Sequence, residues 1–371
     1  VLVPDFAEAY YNLGIAYRKK GMLDEAISAL NKALETDPED LKTLNNLAIA
    51  LHEKGKFEDA IFTYENIAAI TPDDANVRYN LGITYYKAGM QNEAISELQK
   101  VLELTPDHTK AHYNLGVIYM GKNKLSKSAE AFQEALKIES GYAKAYVNLG
   151  VVFYRKGLPE EAITAYSRAI EIKPDYAEAY YNSSFAYLKK GLIEDAINML
   201  NKGIELNPDR GLLYFLLGNA YSDKGLSDDA IIAWEKAIEK NPKHYKAYNN
   251  LGFAYYSKGL AEKAIASLKE AIEIKDNYAE AHYHLGSIYI EKEMRKEAVL
   301  ELTRTIALKP DHTKAHYNLG LIYRHLGDMD NAIAEWKMAV KLDPTYSKAY
   351  NNLGVAYDFI NKIDEAIYQY K

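Results

Sequence analysis

The sequence contains no cysteine. That excludes a disulfide framework, a thiolate metal site and a cysteine nucleophile, and it fits a reducing, cytoplasmic compartment. No apolar run approaches the roughly 18 residues needed to cross a bilayer, so no membrane insertion is expected. The first residues lack the basic flank and apolar stretch of a secretion signal. There is no glycine-rich phosphate loop, no zinc-protease helix and no nucleophile elbow. The carboxylates show no sign of an acid and a base paired in a pocket. No cofactor is implied and no enzyme activity is expected. Positive charge is in deficit as well: 45 basic residues face 52 acidic ones, a net −7. That argues against nucleic acid as a partner.

What the chain has is 48% hydrophobic and 26% charged residues over 371 positions, the composition of a folded protein, and 33 tyrosines. The tyrosines belong to a repeat. Ala7-Glu8-Ala9-Tyr10-Tyr11-Asn12-Leu13-Gly14 returns as Ala177-Glu178-Ala179-Tyr180-Tyr181-Asn182-Ser183-Ser184, five times 34 residues later. With position 1 set at Ala7, the unit begins again at 41, 75, 109, 143, 177, 211, 245, 279, 313 and 347 without an insertion. Large residues recur at positions 4, 7, 11 and 24, and small ones at 8, 20 and 27. At about 100° per residue, 4, 7, 8 and 11 share one helix face, and 20, 24 and 27 share a face of a second helix. Glycine at position 15 (Gly21, Gly55, Gly89, Gly157) suits the left-handed residue that ends the first helix. Proline at position 32 (Pro38, Pro106, Pro174, Pro310) is expected to stop the second. The Asp after it is expected to cap the next helix, with Asp5/Glu8 and Asp175/Glu178 as capping boxes. Acidic pairs such as Asp24-Glu25, Glu160-Glu161 and Asp228-Asp229 favour the start of the second helix through its dipole.

With these residues the chain resembles the tetratricopeptide repeat (TPR) family along its whole length. The resemblance implies an all-α solenoid, a right-handed superhelix of antiparallel helix pairs, A then B, whose A helices line a concave groove. Residues 1–6 match the tail of a preceding repeat, 7–346 make ten complete repeats, and 347–371 are a truncated eleventh. The chain therefore reads as a segment of a longer protein, with uncapped ends open to end-to-end self-association. Asn123, Ser128, Ser140, Ser183-Ser184, Asp276 and Glu293 depart from the pattern. They read either as tolerated drift or as joints that alter the superhelical pitch.

The core face of helix A fixes the opposite face, positions 2, 6, 9 and 13, with 5 and 12 on a flank. Position 6 is Asn in nine of eleven units: Asn12, Asn46, Asn80, Asn114, Asn148, Asn182, Asn250, Asn318 and Asn352, with Leu216 and His284 as exceptions. Packing does not ask for Asn there, and helix propensity disfavours it. It reads as an amide bonded to its own neighbours or as a ladder offering donor and acceptor to an extended peptide backbone. The second reading is adopted; such a ladder resembles the one in the TPR groove of O-GlcNAc transferases. Tyr79 and Tyr113 at position 5, with Tyr86 and Tyr154 at position 12, flank it.

Charge separates as well. Position 2 carries six lysines against three glutamates; position 13 carries Lys19, Lys87, Arg155 and Lys189 against Glu53, Asp223 and Glu291; position 12 carries Arg18 and Arg324 against Asp358. The inner face is thus net +5 on an acidic chain, strongest near Lys87, Lys110, Lys144, Arg155 and Lys189, which suggests acidic peptide partners. The chaperone-tail clamp of the family needs Lys at position 5 and Asn at 9; no Lys stands at 5 and only Asn219 at 9, so that specificity is not expected. His108/His112 and His312/His316 have metal-pair spacing, yet Tyr142/Tyr146 and Tyr176/Tyr180 fill the same positions. Histidine is therefore read as an aromatic stand-in, and no metal is expected. The favoured function is a scaffold binding extended peptide segments of a protein. The alternatives are the substrate-recruiting arm of a larger enzyme, such as a glycosyltransferase, and a self-assembling array.

Overall fold

The computed structural model describes residues 4–371, with side chains from Phe6 onward. Among them are 22 helices and no strand. They alternate as the repeat requires: in the third repeat helix A is Ala75–Lys87 and helix B Gln91–Leu104. The fold is an all-α solenoid of tandem helix pairs. The chain forms two compact units, Val1–Leu192 and Ile193–Lys371, divided inside the sixth repeat. The first helix runs from Pro4 to Lys19, so residues 4–6 continue helix A upstream of the register. The preceding-repeat reading of residues 1–3 and the capping box at Asp5 lie outside the described residues.

The core follows the repeat. Position 20 is buried in every unit, from Ala26 and Ala60 to Ala366, and position 24 supplies the large partner: Leu30, Tyr64, Leu98, Phe132, Tyr166, Leu200, Trp234, Leu268, Leu302 and Trp336. Where position 8 is glycine, the large side chain of the same repeat lies on it. A Cβ on Gly150 would sit 2.5 Å from the Tyr166 ring, and one on Gly218 2.5 Å from the Trp234 indole. Burying one such side chain is worth about 1.5–3 kcal/mol, more than the roughly 0.5–1.5 kcal/mol of a typical neutral hydrogen bond.

Helix A ends on a left-handed residue throughout. Gly21, Gly55 and Gly89 have φ near +80°, and Asn123, Glu293 and Asn361 adopt φ of 56°, 57° and 62°. The departures from glycine thus keep the same local turn. Ser128, in place of alanine, is buried and donates its hydroxyl to the Gly116 carbonyl at 2.7 Å. From the second repeat to the tenth, helix B stops at position 30 with or without proline: at Ile172 before Lys173-Pro174, but also at Ile138 before Glu139-Ser140 and at Ile274 before Lys275-Asp276.

The capping expectation needs correction. The N-cap of helix A is position 34, one residue after the Asp that was expected to cap. Where position 34 is Asp40 or Asp74, its carboxylate accepts from two backbone amides. Where it is His108, His244 or His312, Nδ1 accepts from the amide three residues on, at 3.1, 3.2 and 3.1 Å. At Tyr176 no side-chain cap forms, so Asp175 does not close a capping box with Glu178. Two of these histidines also stack on a tyrosine of the helix A before the one they cap, His108 on Tyr79 at 4.9 Å and His312 on Tyr283 at 4.4 Å.

A lysine row at position 14, not anticipated from the repeat core, ties neighbours together 30 residues apart. Lys190 meets Glu160 at 3.1 Å and Lys292 meets Glu262 at 2.7 Å, with Lys54–Asp24, Lys224–Glu194 and Lys258–Asp228 in the same relation. The helix-B acidic residues thus accept from the next repeat as well as favouring their own dipole. Each exposed pair contributes about 0–1 kcal/mol.

Candidate peptide-binding surface

The face of helix A turned away from helix B carries the candidate residues, and its side chains bond sideways to adjacent A helices. Asn114 Nδ2 donates to Tyr79 Oη at 3.0 Å and to the Lys110 carbonyl at 2.8 Å. Asn46 does the same with Tyr11, 3.4 Å, and Lys42, 2.9 Å. Asn148 donates to Tyr113 at 2.8 Å and Asn352 to Tyr317 at 3.3 Å. A carbonyl oxygen only accepts, so the Lys110 and Lys42 contacts fix which end of each amide is nitrogen. Both N–H groups of Asn114 are then used, and its Oδ1 remains as an acceptor. The Tyr79 hydroxyl, accepting from Asn114, retains a proton to donate. A rung therefore offers an Asn oxygen and a Tyr O–H, rather than the whole amide expected from the sequence. Among the described residues, Asn12, Asn80, Asn182 and Asn318 make no such bond, while Asn250 donates to Asn219 Oδ1 at 2.9 Å.

The other candidates divide. Tyr79 is half-buried, with its hydroxyl held above the usual phenol range by burial against the opposing Asn114 bond. Tyr113 is 6% exposed, packed on Tyr142 at 4.9 Å and Phe132 at 5.6 Å. Its ring is thus packed within its own repeat, and its hydroxyl accepts from Asn148 of the next. Tyr86 and Tyr154 are half-buried, and Lys87, Lys110, Lys144 and Lys189 are exposed. Lys144 lies 5.5 Å from the Tyr113 ring centre and Lys189 5.2 Å from that of Tyr154. Arg155 is engaged: its guanidinium donates to the Met120 carbonyl at 3.1 Å and to Asn123 Oδ1 at 2.9 Å, closing the end of the preceding helix A.

The histidine pairs do not converge. His112 Nε2 lies 2.9 Å from the Pro106 carbonyl, and His316 is held by Glu335 at 2.6 Å and the Pro310 carbonyl at 3.0 Å. Tyr180 makes the same link to Pro174 at 3.1 Å, so histidine does stand in for tyrosine here, tying position 4 to the preceding turn. No cluster of three or more metal-ligating side chains occurs among the described residues.

Inner charge belongs to the first unit. Positions 2, 12 and 13 sum to +5 over the residues before Leu192, including Lys42, Lys110, Lys144, Lys87 and Lys189, and cancel after it, where Asp223, Glu280, Glu291 and Asp358 offset the cations. Sequence reading also passed over position 9. Ile15, Ile49, Ile83, Val117, Val151 and Phe185 are all half-buried on this face. The available signal was an apolar residue recurring where helix phase points away from the core.

Twenty-two helices paired at a fixed 34-residue period, with no strand among the described residues, define a helical-hairpin repeat protein. Models described as "Tetratricopeptide repeat" match residues 7–40, 29–62, 177–210, 215–280 and 279–312, and one described as "TPR repeat" matches 50–89, 85–123, 118–157, 160–191 and 320–358. The chain belongs to the tetratricopeptide repeat family. Among solved structures it is similar to MamA, at 33% identity over 42% of this chain and 90% of that one, with a TM-score of 0.40. It is also similar to YrrB, described as a TPR protein with an unusual peptide-binding site, at 27% identity over 50% and 96%, TM-score 0.44. Yeast Tom70 aligns over 98% and 91% at 18% identity, TM-score 0.44. Among curated proteins none matches. No helix is long and apolar enough to cross a membrane among the described residues.

Proposed function

We propose that the chain is a non-enzymatic protein-interaction scaffold that binds extended, acidic peptide segments along the A-helix face of its first unit. The observation that carries this is the coincidence of three features on one face. These are rungs offering an Asn oxygen and a Tyr O–H, a row of half-buried aliphatic residues at position 9, and a net +5 confined to residues before Leu192. An extended backbone presents alternating N–H and C=O groups that such rungs can pair, and pairing to backbone tolerates varied side chains. Opposite charge steers and selects the partner.

Selection of random decapeptides on the full chain tests this. Enriched peptides should be acid-rich, weaken with added salt, and lose affinity when Asn114, Asn148 and Asn182 are all changed to Ala. Undiminished binding by the triple variant removes the ladder from the mechanism.

A further inference from the structure

Where the Asn row breaks at His284, the second unit contains a pocket of about 340 Å³ between Asn219, Ser222, Asp223, Trp234, Phe253 and His284. Its polarity is fixed from one end. The Trp234 indole N–H can only donate, and it gives to Asn219 Oδ1 at 3.1 Å. Asn250 Nδ2 donates to the same oxygen at 2.9 Å. The Asn250 oxygen is therefore its acceptor end, and it receives Asn249 Nδ2 at 3.3 Å. Asn249 then presents its own oxygen to His284 Nδ1, 3.0 Å away. So Nδ1 carries the proton, and a neutral His284 has a bare lone pair on Nε2. Burial holds this imidazole down to about 4, keeping it neutral near pH 7.

The residues lining the pocket therefore include the Asp223 carboxylate, a His284 ring whose Nε2 can accept, and the Ser222 hydroxyl. Its floor is the Phe253 ring, 50% exposed and 5.1 Å from the His284 ring. Asp223 is the only ionised group among the lining residues. We infer that this pocket takes the guanidinium of an arginine side chain in a bound peptide. A guanidinium is planar, carries five donors and no acceptor, and stacks on an aromatic face. It matches an acceptor wall over a flat ring. A lysine ammonium is a compact, strongly hydrated point charge without that planar fit. An acidic side chain would meet Asp223, and an apolar one would strand the acceptors without partners. This inference rests on the A-helix face as the peptide surface, but it concerns a different half of the chain and a different chemistry from the acidic preference of the first unit.

The sequence has two tryptophans, so the indole N–H region of a nitrogen–proton correlation spectrum holds two signals. Trp336, buried and bonded to the Tyr317 carbonyl, serves as the internal control. The probe is N-acetyl-arginine amide titrated into the full chain, with the matching lysine and glutamine amides alongside. Arginine should move the Trp234 signal saturably and leave Trp336 in place, with lysine weaker and glutamine inert. Asp223→Asn should weaken arginine by about tenfold or more, and Phe253→Ala, at an exposed site, should weaken it too. No saturable shift with arginine, equal shifts with all three amides, or undiminished binding by Asp223→Asn overturns the assignment. A single capped residue needs no backbone ladder, so failure here leaves the groove reading to be judged by the decapeptide selection, and the reverse holds.

Discussion

Asn114 lies 35 residues beyond Tyr79, and its amide donates to that tyrosine's hydroxyl across 3.0 Å, joining one repeat to the next through the face proposed to hold peptide. Stability and binding are therefore coupled at this rung, and substitutions can separate them. Tyr79→Phe removes an acceptor while Asn114 keeps its bond to the Lys110 carbonyl. It should lower stability by about 0.5–1.5 kcal/mol and cost the peptide one donor. Asn114→Ala should lower both properties, and in a double-mutant cycle by urea denaturation the two changes should add to less than their sum. Strict additivity would mean the bond contributes nothing.

The close approach of position 8 to position 24 gives a second test. Gly150→Ala places a methyl 2.5 Å from the Tyr166 ring, and the overpacking should cost about 1–3 kcal/mol. Tyr166→Leu in the same chain should recover part of that loss. Gly82 packs on Leu98, where an added Cβ would sit 3.2 Å away, and Gly82→Ala should cost less. Equal costs at Gly150 and Gly82 would show that ring contact is not the cause.

Glu293 occupies a left-handed turn, at φ 57°, that glycine fills in eight other repeats. Glu293→Gly relieves a strain of about 1–2 kcal/mol, offset by the greater entropy glycine loses on folding. A net gain of about 0.5–1 kcal/mol is expected in the urea midpoint. A loss would show that the turn gains more from the glutamate side chain than it spends on φ.

The histidines give opposite pH dependences. Burial opposes the charge on His316, yet the Glu335 carboxylate and the Pro310 carbonyl together raise its pKa. Its contribution is therefore complete below the ordinary histidine value and fades as pH rises through the elevated native one. His284 is held down to about 4 by burial, so its contribution is present above the ordinary value and lost as pH falls toward 4. His316→Gln should then cost most under mildly acidic conditions and less at alkaline pH. A loss independent of pH would assign His316 a packing role alone.

The sequence by itself determined the architecture. An unbroken 34-residue period, small residues at 8 and 20, a large one at 24 and a turn residue at 15 specify two helices, their facing surfaces and their termini. Each of those requirements is met within one hairpin, where helix phase alone sets direction. The tertiary structure decided what the outward-phased residues have left to offer. Tyr113 shares position 5 with the half-buried Tyr79, and Arg155 shares position 13 with the exposed Lys87 and Lys189, yet one is buried against Tyr142 and the other caps a neighbouring helix. Asn114 keeps its oxygen only because a Tyr hydroxyl one repeat away and a backbone carbonyl one turn back in its own helix take its N–H groups. The tyrosine lies 35 residues off, across a helix–helix spacing that packing sets and periodicity does not encode. The orientation of His284, settled four hydrogen bonds away at the Trp234 indole through a chain of amides, is of the same kind: hydrogen-bond direction passes between side chains in space and leaves no period in the sequence.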